Sequence, residues 1–294
     1  MRTAPQVARR HHFVPQFYLR AWYEPGQDGF WLYSRNARGD LSLRCRPAKS
    51  VAYVLDLYSL RPVGLPIGPV SLSDEIETGF FAPIDDAAAP VLLKAATSSI
   101  WDLTYDERRI AAVFFNSLLE RRPERIEELV RSVVTPELTE QLARRFHSTR
   151  GRQLLDSLDV DAFARNEILA ALRGYIVDEQ FVDYLAKMIW STFEFPHGPD
   201  HFLTSDSPLV VNGGTLPQRP IYLLSIALSP KRLLLIHAKN DAFDREFLSK
   251  IAATHSIQTT VQAETFVVSS RRLTDSAAIK YSRIVNEKLR HAKK

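Results

Sequence analysis

Apolar and polar positions alternate along FWLYSR at 30–35 and DLSLRC at 40–45 on either side of NARG, the two-residue period of a β-hairpin. VAYVLDLYSL at 51–60 adds a further predicted strand. Upstream, HHFVPQFYLRAW at 11–22 places Pro15 in the first turn of a short helix whose apolar side carries Phe17, Tyr18 and Trp22. From residue 73 the period lengthens to that of a helix. Ser73 is a predicted N-cap followed by Asp74, Glu75 and Glu77, and Ile110, Phe114 and Leu118 recur every four residues. Pro123 opens another helix with Ile126, Leu129, Val130 and Val133 inward, and helical periods continue from Phe163 to Ile176 and from Phe181 to Phe193. Strands then return at 201–206 (HFLTSD), 208–212 (PLVVN), 221–230 (IYLLSIALSP) and 232–238 (RLLLIHA), the last two joined tightly enough by SPKR to form an antiparallel pair. A helix from about Asp241 to Gln262, a strand TFVVSS and a basic helix near 275–292 complete the pattern.

This order predicts an α+β fold in one domain over residues 1–294. Neither strand set alone is large enough for a core. The expected architecture is therefore a mixed or antiparallel sheet shared by N- and C-terminal strands, with 73–195 as a central helical insert between stretches 1–72 and 196–294.

Composition supports a packed chain: 45% of residues are hydrophobic and 24% charged, which excludes a disordered or collagen-like protein. The one cysteine, Cys45, allows neither an intramolecular disulfide nor a thiolate zinc site, and makes a reducing cytoplasm the expected compartment. No apolar run approaches the roughly 18 residues of a membrane span, and the first residues lack the apolar segment of a secretion signal, so no membrane partner is expected. The formal net charge of +4 conceals an asymmetry: residues 1–50 and 271–294 each carry +6, which leaves −8 between them. Two basic ends on an acidic body point to nucleic acid or another phosphate-bearing ligand.

No GxGxxG, Walker-type, GxSxG or HExxH motif occurs. HHFVPQFYLRAW, the aromatic strand FWLYSR, the helical block with Arg122 and Pro123, and FLTSDSPLVV together resemble the bacterial family catalogued as domain of unknown function 4238. The resemblance spans roughly residues 9–270 and rests on two separated motifs, HHxVPxxYL at His11–Leu19 and FITSDxPV at Phe202–Val210. Ser207 stands where an Asn is common. The resemblance implies no particular activity.

Candidate chemistry comes from the residues. His11 and His12 are adjacent, so a strand would send them to opposite faces and at most one would act as a ligand or base. Arg9 and Arg10 precede them and Gln16 follows at a helix start, a place where free amides hold anions. Thr204, Ser205 and Asp206 lie at a strand end before Pro208; Asp206 either organises a turn or orients a histidine. Arg121 and Arg122 close a helix, where they either complement its dipole or grip a phosphate or carboxylate, Arg122 being the candidate ligand-binding member. The acidic segment Glu75, Glu77, Asp85 and Asp86 reads as a solvated face, and HGPDH at 197–201 as too short a spacing for a convincing metal site.

Two function classes follow. One is a metal-assisted or His-based phosphodiesterase or nuclease of a bacterial conflict system, with His11, His12 and Asp206 catalytic, Arg9, Arg10, Gln16, Arg122, Thr204 and Ser205 on the substrate, and a divalent metal as one route to the nucleophile. The other is a non-catalytic module binding nucleic acid or a protein partner. Clustering of these side chains favours the first, dispersal the second.

Overall fold

The computed structural model describes residues 10–35, 41–64, 72–145, 148, 152–153, 156–194, 201–213, 221–239 and 244–273. The predicted NARG turn, the loop around Gly151, the loop before His201 and the last helix lie outside the described residues.

Strand β1 (Arg10–His12) leads into helix α1 (Gln16–Arg20), followed by β2 (Phe30–Arg35), β3 (Leu41–Arg46) and β4 (Tyr53–Leu55). The helical region comprises α2 (Ala82–Thr97), α3 (Tyr105–Glu120), α4 (Pro123–Val133), α5 (Pro136–Arg145), α6 (Val160–Ile176) and α7 (Glu179–Lys187). Strands β5 (Ile189–Glu194), β6 (Thr204–Ser205), β7 (Val210–Gly213), β8 (Ile221–Ser229) and β9 (Arg232–His237) come next, then α8 (Arg245–Gln262) and β10 (Phe266–Ser269). Among the described residues no helix is long and apolar enough to cross a membrane.

The fold is α+β, with three antiparallel sheets among the described residues: β1-β4, β3-β2-β10-β6 and β5-β9-β8-β7. The second joins the N-terminal hairpin to C-terminal strands as expected. The third corrects the expectation of one shared sheet, because it is built entirely from residues 189–237. The same strand revises the predicted helical period to Phe193: α7 ends at Lys187, and Ile189–Glu194 pairs residue by residue with β9. Backbone pairing with an apolar neighbour outweighs the local period there. Within β9, Leu233, Leu234, Leu235 and Ile236 are all fully buried, as in a central strand covered on both faces.

A single hydrophobic cluster draws Trp22 and Tyr58 from the first stretch, Phe114 and Phe115 from the second, and Leu224 and Leu235 from the third. The 51–60 strand shrinks to three residues because Ala52 (φ 59°) and Asp56 (φ 55°), both left-handed, bend the chain on either side of it. A capping box between Thr104 and Glu107 starts α3, whose far end delivers Arg121 and Arg122.

Candidate functional site

In β1 the two histidines face opposite ways. His11 is fully buried; its Nδ1 accepts the Tyr58 backbone N–H at 2.8 Å, and its ring stacks on the Tyr58 ring at 5.5 Å. Accepting at Nδ1 requires the neutral ring to carry its proton at Nε2. The Tyr58 hydroxyl in turn donates to the Arg121 carbonyl at 2.7 Å, and burial pushes its pKa well above the usual range. His11 thus fastens β1 to the chain beneath it.

His12 is only partly buried, yet its Nε2 is shielded from solvent and has no hydrogen-bond partner among the described residues. Burial lowers its pKa below the usual 6.5; the charges of Arg10, Arg121 and His11 act in the same direction, and a backbone hydrogen bond at Lys49 opposes them. The ring is therefore neutral near pH 7 and can accept a proton. Tyr53, its register partner in β4, lies 5.7 Å away ring to ring, and the exposed Arg10 guanidinium stands 4.9 Å over that same Tyr53 ring.

Arg121 follows α3 and is fully buried between the rings of Phe81 and Phe114, each 5.7 Å from the guanidinium carbon. One nitrogen, Nη1, donates to both Asp85 oxygens, at 2.9 and 3.2 Å. The Nε and Nη2 edge has no partner among the described residues. Glu77, in the π-helical turn Glu77–Phe81 that runs into α2, also has a buried, unpartnered Oε2. Burial raises Glu77 to about 7, with Asp85 and Asp74 adding to the rise and Arg121 resisting it. Asp85 is raised for the same first reason. Glu77 and Asp85 thus compete for one guanidinium, an arrangement in which one carboxyl tends to keep its proton near neutrality. The reading of the segment as a solvated face therefore holds for the exposed Glu75 and Asp86 and is corrected for Glu77 and Asp85, which burial against Arg121 draws inward.

The two sequence motifs do meet, through residues other than the expected pair. Tyr18 donates to the Ala227 carbonyl at 2.9 Å and shares a 2.9 Å hydrogen bond with Thr204 Oγ1, and Trp22 Nε1 donates to the Phe202 carbonyl at 3.0 Å. Arg122 Nη1 donates to Ser207 Oγ at 3.1 Å, which ties the end of α3 to the second motif. Ser205 Oγ accepts the Ser207 N–H at 3.1 Å in a tight side-chain turn. Asp206 is buried and its carboxylate accepts the backbone N–H groups of Glu264, Thr265 and Phe266 and the Thr265 hydroxyl. These bonds oppose a rise caused by burial. Asp206 and His12 share no hydrogen bond; the expected base-and-orienter pair is replaced by an aspartate that organises the entry to β10.

Gln16 accepts from Arg20 within α1 at 3.2 Å, and Arg9 lies outside the described residues. His201 contacts Ser269 Oγ at 2.6 Å and receives the Arg271 Nε at 3.2 Å, while His197 and Asp200 lie outside the described residues. Among the described residues no group of three or more His, Cys, Asp or Glu side chains could hold a metal ion.

Glu77, Asp85 and Tyr58 were missed as site residues, and Arg121 was passed over for its neighbour. A signal was present. Arg121 extends the Phe114–Leu118 stripe by three positions, and Glu77, Phe81 and Asp85 recur every four residues, so their charges lie on core-facing stripes.

Fold and site together define an α+β protein with a buried arginine, two acidic groups and, on an N-terminal ribbon, a histidine whose pKa burial lowers. The chain belongs to the family described as "Protein of unknown function (DUF4238)", whose model matches residues 10–272. No curated protein and no solved structure matches it.

Proposed function

We propose that this protein is a His-based hydrolase of phosphate esters, a phosphodiesterase or nuclease acting in the bacterial cytoplasm within a conflict system. The carrying observation is the set of buried polar atoms without partners, His12 Nε2, Arg121 Nε and Nη2 and Glu77 Oε2, held within electrostatic reach of one guanidinium. Buried unpaired polar groups cost about 1–3 kcal/mol each and call for an explanation such as a ligand. The free Nε–Nη2 edge of Arg121 matches two oxygens of a phosphate. His12, neutral near pH 7, takes the proton of an attacking water, and Glu77, which keeps its proton to about pH 7, gives one to the leaving oxygen. The exposed free Cys45 fits a reducing compartment.

The test is hydrolysis of a single-stranded oligonucleotide by the purified chain, with and without a chelator, alongside His12→Gln and Glu77→Gln. Chelator-resistant cleavage that falls about 100-fold or more in His12→Gln is expected. Full activity in that variant removes the reading. The second reading, a non-catalytic binding module, is favoured by the commitment of Asp206 to backbone groups, and binding without turnover would establish it.

A further inference from the structure

The β1-β4 ribbon has a face that the hydrolytic chemistry leaves unused. Antiparallel register sets Arg10 opposite Leu55 and His12 opposite Tyr53, so these four side chains share one side. Leu55 is 53% exposed, Arg10 is exposed and Tyr53 is partly so. The Arg10 guanidinium already lies over the Tyr53 ring at 4.9 Å, and the His12 ring borders the same ring at 5.7 Å. An aromatic ring with a cation above it and exposed apolar surface beside it is a platform for another flat π system. Tyrosine and arginine are among the side chains on which unpaired bases stack.

Resting on the phosphate-ester reading above, we infer that the substrate is single-stranded nucleic acid, one base of which displaces the Arg10 guanidinium from the Tyr53 ring and stacks there, while the adjoining phosphate pairs with Arg10 and reaches His12. A duplex is a poor substrate because neighbouring pairs cover both faces of each base. A phosphate ester without an aromatic group gains nothing from the ribbon. Ala52 and Asp56, both in left-handed backbone, bend the chain on either side of β4 and hold the platform in place.

The experiment compares three labelled probes of equal length: oligo(dT), an abasic oligodeoxyribose phosphate, and a blunt duplex. Binding is followed by anisotropy and cleavage by gel. The full chain and its Tyr53→Leu and Tyr53→Phe variants are used, each checked for an unchanged thermal unfolding midpoint. The wild type should bind oligo(dT) about tenfold or more tightly than either other probe. Tyr53→Leu should bring the ratio of oligo(dT) to abasic probe close to one, and Tyr53→Phe, which keeps a ring, should restore it. Equal binding of oligo(dT) and abasic probe by the wild type, or an unaltered ratio in Tyr53→Leu, overturns the base-stacking inference; cleavage of both probes would then leave the hydrolase standing. Tyr53-dependent preference without cleavage supports the platform and removes the hydrolase.

Discussion

The hydroxyls of Tyr18 and Thr204 lie 2.9 Å apart although 186 residues of chain separate them. Tyr18 spends its single proton on the Ala227 carbonyl, so Thr204 is the donor between the two hydroxyls. Burial holds the phenol far above its ordinary pKa, and the pair stays neutral across the working range. One side chain of the first motif thereby locks the second motif and β8 together.

Tyr18→Phe should cost about 1–3 kcal/mol, since it leaves a buried carbonyl and a buried hydroxyl without partners. In a double-mutant cycle with Thr204→Val, denaturant unfolding should show a favourable coupling of about 0.5 kcal/mol or more. Simple additivity would mean that the shared hydrogen bond contributes no measurable stability.

Asp206→Ala should destabilise by about 3 kcal/mol or more, because three backbone amides lose their acceptor at once. Asp206→Asn keeps one acceptor oxygen and should lose less. Per folded molecule, hydrolysis in Asp206→Asn should match the wild type; a collapse of turnover with intact folding would return this carboxylate to the reaction.

Hydrolysis should follow a bell-shaped pH profile. Its acid limb reflects His12 becoming the free base below the usual 6.5, and its alkaline limb reflects Glu77 losing its proton near 7. Glu77→Gln should lower the rate and erase the descending limb. Persistence of that limb in the variant would assign the acid elsewhere.

Acid should destabilise the core through His255. It is fully buried, with Ser225 at 2.9 Å and Thr259 at 3.2 Å, and burial depresses its pKa from 6.5 to about 3. A depressed histidine contributes stability above pH 6.5 that is lost progressively as pH falls toward about 3. Glu77 works the other way: its raised carboxyl adds stability as pH falls from about 7 to 4.5. Between pH 6 and 4, His255→Gln should lower the slope of unfolding free energy against pH by up to about 1.4 kcal/mol per pH unit. An unchanged slope would mean that His255 is not the titrating group.

Much of the fold was readable because local pattern and tertiary fate agreed. The β2–β3 hairpin, the Pro123 start of α4 and the tight β8–β9 link each carry their own turn or cap chemistry. Ile189–Glu194 was not readable, since Phe181 and Leu185 begin a helical period and only the partner β9 decides where it stops. That His11 and His12 face opposite ways follows from their adjacency in a strand. Which of two adjacent histidines meets Tyr58 and which keeps a free nitrogen depends on β4, a pairing absent from local sequence. Asp206 invited a catalytic reading because its type suits one; its four donors come from residues 264–266, nearly sixty positions away.

The bonds from Tyr18 and Trp22 to residues 202–227 also set the order of events during synthesis. At about 5–20 residues per second, the first motif leaves the ribosome roughly 10–40 s before its strand partners exist. For that interval the apolar side of α1 has no β8 to cover it. Contacts so distant in sequence also slow the final search. Nascent chains should therefore bind a holdase chaperone through residues 11–22 until β8 has emerged, and a chain ending before residue 221 should remain its client.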